Sequence, residues 1–209
     1  MIIPKIFHRI WIGSKVPDHL LRYGDSWMKN HPGWEMRFWT DENMPPSRYP
    51  DLIKKCKYWS NRANIYRYEI ILKHGGVYID MDFECYKSIE PLIEKLDAFG
   101  VYQLDDPVTY AAVCNGIFGA TPGHPFVKAL VDGVPKFFNA EERFNMGPPY
   151  FTDMVRRHPK VKVLLKPYFF PYLWNELEHR NRRFPYTYAT HHWNSLSFKG
   201  NETEENKKN

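Results

Sequence analysis

From Asn61 to Tyr86 the chain reads NRANIYRYEIILKHGGVYIDMDFECY, and this block narrows the possible folds more than any other. Ile65, Tyr68 and Leu72 recur at helical spacing and Gly75 follows as a natural left-handed stop, so the spacing predicts a helix over 61–74. Beyond the Gly-Gly pair the period switches. Val77, Ile79, Met81, Phe83 and Cys85 alternate with Tyr78, Asp80, Asp82, Glu84 and Tyr86, which predicts one strand over 77–86. On such a strand Asp80 and Asp82 project from the same side. A helix that feeds straight into a strand is half of a crossover unit, and it favours a mixed α/β sheet covered by helices.

The flanking sequence agrees. The opening IPKIFHRIWIG reads as a first strand, 17–30 as a helix and the apolar run 34–39 as a second strand, a β-loop-α-β start. Pro45, Pro46 and Pro50 mark 41–50 as a loop. FGVYQL reads as a further strand, and Asn115 and Gly116 as a loop between apolar stretches. No internal repeat divides the chain. One domain is expected over 1–199, followed by a polar, nearly neutral tail at 200–209 that suits a linker toward a further domain.

Composition excludes several classes. With 209 residues, 43% of them hydrophobic, the chain has material for a core and needs no staples. Cys56, Cys85 and Cys114 are few, distant and odd in number, so no disulfide framework or CxxC metal site is readable, and a reducing, cytoplasmic setting is expected. Pro4, Lys5, His8 and Arg9 interrupt the apolar start before a signal-peptide core can form. The longest stretch without Asp, Glu, Lys or Arg, Pro107 to Val127, holds three prolines and three glycines, so no membrane span is expected. The net charge of +5 admits an anionic ligand, but the basic residues are dispersed and no nucleic-acid motif appears.

The sharpest chemical signal is Asp80 with Asp82. Two carboxylates at this spacing repel one another unless a cation sits between them. Hard divalent ions, Mn²⁺ or Mg²⁺, take such oxygen ligands and are commonly completed by nucleotide phosphates. A third protein ligand is available in His191 or His192, within YATHHW near aromatic neighbours. Arg67, on the predicted helix, faces the acid end of the strand, where a guanidinium can pair a diphosphate. Trp11, at the end of the first strand, can stack on a base or fill the core, and periodicity does not decide between them.

Taken in order, IPKIFHRIWIG, ANIYRYEIILKHGGVYIDMDFE, ATPGHP, MGPPYFT and YATHHW resemble the DXD-containing glycosyltransferases of family 32. That family includes yeast initiating mannosyltransferases and bacterial capsular sugar transferases. It is similar to the glucosylating domain of large clostridial toxins, and a capsid glycosyltransferase of a large DNA virus fits the same pattern. The resemblance implies a GT-A fold, Rossmann-like, with a mixed central sheet, and transfer of a hexose or deoxyhexose from a UDP-sugar to a glycan or glycoprotein acceptor. By the same resemblance Ile10 and Trp11 hold uracil, Arg67 and Tyr78 contact the diphosphate or donor sugar, Asp80 reaches ribose and sugar hydroxyls, and Asp82 binds Mn²⁺. His192 and Ser195 fall where the C-terminal metal and phosphate ligands lie, with His191 as the alternative.

Two departures stand out. Ala63 and Asn64 replace the family's Ser-Asp, so the charged acceptor for a donor-sugar hydroxyl is an amide here, and the identity of the sugar is open. Leu196, Ser197 and Phe198 replace the closing Ser-Trp, which leaves the register of the histidines open by one. The resemblance implies retention of anomeric configuration. An inverting course would need a carboxylate base, for which Asp105 and Asp106 are the candidates. A metal-dependent phosphohydrolase would use similar acids but needs a nucleophile or a second metal's ligands, and a carbohydrate-binding module would account for the 17% aromatic content without catalysis.

Overall fold

The computed structural model describes residues 2–194. The chain opens with β1 (Ile6–Ile10), crosses through α1 (Asp18–Asn30) to β2 (Glu35–Trp39), and continues through α2 (Pro50–Lys55) and α3 (Trp59–His74) into β3 (Gly76–Ile79). Next come β4 (Phe83–Cys85), α4 (Glu90–Ile93), β5 (Ala98–Tyr102) and β6 (Val113–Ala120). After α5 (Pro125–Phe137) and α6 (Pro148–Arg156) follow β7 (Lys162–Leu164) and β8 (Ala189–His191). Six strands form one mixed sheet in the order β2-β1-β3-β6-β5-β7. β1 runs parallel to both β2 and β3, and β6 runs antiparallel to β3 and β5.

Both faces of this sheet are covered. On one, Tyr78 and Phe118 pack with Ile65, Tyr68, Leu130 and Phe151 from α3, α5 and α6. On the other, Val77, Ile79 and Ile117 pack with Trp27 of α1 and with Phe83, Phe170 and Tyr172. The turn that joins α3 to β3 is forced by space as well as by conformation. Gly75 and Gly76 have φ of 62° and 94°, and a Cβ on Gly76 would lie 2.5 Å from the Ile6 carbonyl oxygen.

The expected strand over 77–86 is two strands in different sheets. β3 belongs to the central sheet, whereas β4 pairs antiparallel with β8 in a two-stranded ribbon, and residues 80–82 turn between them. The alternation therefore spans a break, and its physical basis fails in β3, where every residue is buried because both faces are covered. Asn115 and Gly116 are not in a loop either: they lie in the buried interior of β6. Ser195, Leu196, Ser197, Phe198 and the tail at 200–209 lie outside the described residues.

Candidate active site

The parallel pairing of β1 with β3, Phe7 opposite Val77 and His8 opposite Tyr78, brings Ile10 and the acid turn to the same sheet edge. That edge is the carboxyl end of both strands, where ligands bind in sheets of this kind. The turn is held from several sides. The Asp80 amide donates to the Gly116 carbonyl at 2.7 Å, and the Phe83 amide closes the turn onto the Asp80 carbonyl at 3.3 Å. From beneath, Arg9 Nη2 donates to the Met81 carbonyl at 2.6 Å and to the Leu20 carbonyl of α1 at 2.8 Å. Arg9 is 3% exposed, and a Cβ on Gly24 would lie 2.1 Å from its Nη1, so α1 leaves room only for the guanidinium.

The two carboxylates converge because of the turn. Oxygens of Asp80 and Asp82 and a ring nitrogen of His191 all lie within 4.8 Å of one another. Asp80 accepts from the Tyr78 hydroxyl at 2.7 Å and pairs with Arg67 Nη1 at 3.2 Å. Asp82 lies 3.0 Å from His191 Nε2 and accepts from the Asn194 amide at 2.8 Å. The side chain of Asp80 is 28% exposed against 7% for Asp82, so Asp80 is the open member of the pair. His191 Nδ1 is buried without a hydrogen-bond partner.

The environments split the acids. Enclosure and the neighbouring Asp82 charge raise the Asp80 carboxyl above its ordinary range, with Arg67 pulling the other way. Enclosure also acts to raise Asp82, but the charge and hydrogen bond of His191 and the Asn194 amide outweigh it and hold that carboxyl at about 2. Arg67 is buried, which opposes its charge, yet Asp80 keeps it protonated. Its guanidinium lies over the Tyr78 ring at 4.3 Å and donates from Nη1 to the Asn115 carbonyl at 2.8 Å.

A second polar layer backs this one. Asn115 Nδ2 donates to Asn64 Oδ1 and to the Tyr68 hydroxyl, both at 2.9 Å, and Tyr68 donates onward to the Met146 carbonyl at 2.8 Å. Asn64, Arg67 and Tyr68 are all buried, so α3 presents a polar face to the site as well as an apolar face to the core. At the sheet edge Ile10 is buried at the end of β1. Trp11 is half-buried, with its indole N–H on the Ser14 carbonyl at 2.8 Å and its amide on the Trp39 carbonyl at 2.9 Å.

Of the two histidines, His191 is the one beside the acids. Pairing of β4 with β8 sets Phe83 opposite His191 and directs His191 to the acids, and the next side chain leaves on the other side. His192 Nε2 lies 2.9 Å from Glu84 Oε2, its ring stacks on Tyr23 at 4.8 Å, and the Tyr172 hydroxyl contacts its Nδ1 at 3.0 Å. His192 thus faces Glu84 and not the two aspartates. Its role is to hold the segment, together with Arg180, whose Nη2 donates to the His192 carbonyl at 2.7 Å. Trp193 then turns through a positive φ of 55°, which aims the Asn194 amide at Asp82.

Asp105 and Asp106 are not brought to the acid turn. Asp105 pairs with Lys166 at 2.6 Å, while Asp106 accepts from the Val108 amide at 2.9 Å and the Thr109 hydroxyl at 3.3 Å within its own loop. The residues that sequence reasoning missed are Arg9, Tyr23, Glu84, Tyr172 and Asn194. Only Arg9 carried a signal, a charge in the middle of the apolar run IFHRIWIG.

Comparison with known proteins points the same way. Residues 17–98 match the family described as glycosyltransferase sugar-binding region containing DXD motif. The chain is 30% identical over 196 residues to inositol phosphoceramide mannosyltransferase 3 of Schizosaccharomyces pombe, covering 91% of this chain and 49% of that protein. It is 31% identical over 173 residues to the uncharacterized glycosyltransferase L373 of Acanthamoeba polyphaga mimivirus, covering 76% of this chain and 67% of that one. The chain spans about half the length of the fungal relatives it matches. Among solved structures, the UDP-bound glycosyltransferase domain of the YGT toxin superposes with a TM-score of 0.53 at 10% identity, over 78% of this chain and 79% of that one.

Proposed function

The chain belongs to the glycosyltransferases with a DXD-containing sugar-binding region, built on the GT-A fold, and from that premise we propose that it transfers a sugar from UDP to a glycan or glycoprotein hydroxyl. The observation that carries the reading is the convergence of Asp80, Asp82 and His191 at the carboxyl edge of the sheet, beside a buried Arg67. Two carboxylates suit Mn²⁺ or Mg²⁺, and of the two ions Mn²⁺ is the one that tolerates an added imidazole. His191 presents Nε2 to these carboxylates, 3.0 Å from Asp82 and 4.0 Å from Asp80.

In this reading Asp82, Asp80 and His191 hold the ion. When bound, it supplies positive charge to the departing diphosphate. The chain's own residues do the rest. Arg67, fixed by Asn115 and Asp80, adds a second positive charge on the same side, and being already ordered it needs no rearrangement. Tyr78 orients Asp80 through its hydroxyl. Ile10 and Trp11 line the place of the base, and Asn64 offers an amide toward the donor sugar. During transfer the bond from the anomeric carbon to the β-phosphate oxygen breaks with its electron pair leaving on UDP, the acceptor oxygen bonds to that carbon, and the acceptor proton passes to the departing β-phosphate. Asp105 and Asp106 are engaged with Lys166 and with their own loop, which favours the retaining course over one with a carboxylate base.

Thermal denaturation with UDP, with and without Mn²⁺, tests the site, because a ligand at a hundred times its Kd stabilises the folded state by about 2.7 kcal/mol. Mn²⁺ is expected to raise the UDP-dependent shift, Asp82→Asn and His191→Ala to abolish that gain, and His192→Ala to retain part of it. Equal UDP binding with and without metal would overturn the assignment.

A further inference from the structure

We infer that a cavity of about 660 Å³ formed by the Tyr110 turn, the 139–147 loop and α6 is a subsite for a neutral sugar ring of the acceptor. The inference rests on the transferase reading, and it concerns the other substrate.

The lining chemistry identifies the occupant. Tyr110, Phe137, Phe144 and Tyr150 offer aromatic surface. Tyr110 is 73% exposed and Phe144 53% exposed, so two of the four rings stand open to solvent and are free to meet a ligand. The Tyr150 hydroxyl is consumed by the Leu130 carbonyl at 2.6 Å, so this residue gives the cavity its ring. Rings of this kind cover the C–H faces of pyranoses, while hydroxyls at the rim need acceptors and donors. Glu142 and Asp153 supply carboxylates and Arg143 a guanidinium whose Nε is buried without a partner. Asp153 also pairs with Arg157 at 2.8 Å. Two carboxylates to one guanidinium, in a chain of net charge +5, form a poor cradle for phosphate and a suitable one for a neutral polyol.

The cavity is also built, and tied to the acid centre. Arg156 of α6 fixes the Tyr110 turn by donating to the Pro107 and Thr109 carbonyls at 2.7 and 2.8 Å. The opposite wall is fixed by α3, where Asn61 donates to the Glu142 carbonyl at 2.9 Å and Tyr68 to the Met146 carbonyl at 2.8 Å. Tyr68 is in turn the acceptor for Asn115, whose carbonyl holds Arg67 against Asp80. Hydrogen bonds through Tyr68 and Asn115, closed by the Arg67–Asp80 ion pair, thus link the 139–147 loop to the acid turn. The 139–147 wall is thus held by α3, the helix that also carries Arg67.

The test uses saturation-transfer NMR with methyl α-mannoside, methyl β-glucoside and methyl β-galactoside as probes and glycerophosphoinositol as the anionic competitor. The variants are Tyr110→Ala and Phe144→Ala, both at exposed rings, and Glu142→Gln as a third that keeps the packing. At least one methyl glycoside is expected to bind the parent protein and to bind each aromatic variant about tenfold more weakly, since loss of one stacked ring is worth about 1.4 kcal/mol. The Mn²⁺-dependent UDP shift, measured on the same samples, is expected to be unchanged in all three. Absence of glycoside binding, equal binding by parent and variants, or preference for glycerophosphoinositol overturns the inference. Loss of the UDP shift in the parent protein overturns the donor reading instead, so the two failures are distinguishable.

Discussion

Gly116 occupies a place that no side chain fits. A Cβ there would lie 2.5 Å from Asp80 Oδ2 and 3.2 Å from Cys114 Sγ, while the Gly116 carbonyl accepts from the Asp80 amide at 2.7 Å. Gly116→Ala is therefore expected to push the Asp80 carboxylate out of the acid set without unfolding β6. Calorimetric titration should show at least about a tenfold loss of Mn²⁺-dependent UDP affinity, a factor worth about 1.4 kcal/mol, with the circular dichroism spectrum unchanged. Residues of this kind mark the boundary of what the sequence discloses. Asp80, Asp82 and Arg67 are legible because their chemistry resides in the side chain and their spacing is fixed. Asn194 acts through a backbone amide and Gly116 through the space it leaves, and neither leaves a pattern. Asn115 reads as a turn residue because Asn-Gly favours turns, yet Asn64 and Tyr68 satisfy its amide inside a strand.

Among the elements, β1 depends on a histidine locked in one tautomer. His8 Nδ1 accepts from the Trp39 indole N–H at 3.1 Å, which leaves Nε2 to donate to the Gly75 carbonyl at 2.9 Å. A second proton has no place on this ring. Burial, with His74 and Arg37 nearby, lowers the His8 pKa from 6.5 to about 4. Between those values the unfolded chain binds the proton and the folded chain refuses it, so stability falls as pH drops below 6.5 and the loss is complete near 4. His8→Gln keeps a donor and an acceptor without titrating. In urea melts from pH 7 to 4 the variant is expected to lose about 3 kcal/mol less than the parent, at about 1.4 kcal/mol per pKa unit. The same element shows which strands could be read in advance. β1, β2 and β5 appear where apolar runs announce them. The break at residues 80–82 does not, because an alternating pattern looks the same whether it stays in one sheet or leaves it for another.

For the molecule as a whole, protection should follow the order of the sheet. β6 lies between β3 and β5, all eight of its residues are buried, and the two core clusters meet across it, whereas β7 is a three-residue edge strand. Hydrogen exchange followed by mass spectrometry is expected to show β3 and β6 exchanging last, and β7 and the β4–β8 ribbon well before them. A ribbon that exchanged as slowly as β6 would mean that it belongs to the same cooperative unit.

That ribbon also decides when the surroundings of Asp82 are complete. His191 and the Asn194 amide reach Asp82 across 109 and 112 positions of sequence. A nascent polypeptide made only through β6 still lacks the imidazole and the amide that face Asp82. The proposed ion site is thereby complete only once residue 194 has been made, and a product terminated earlier keeps the two carboxylates without the partners that face Asp82.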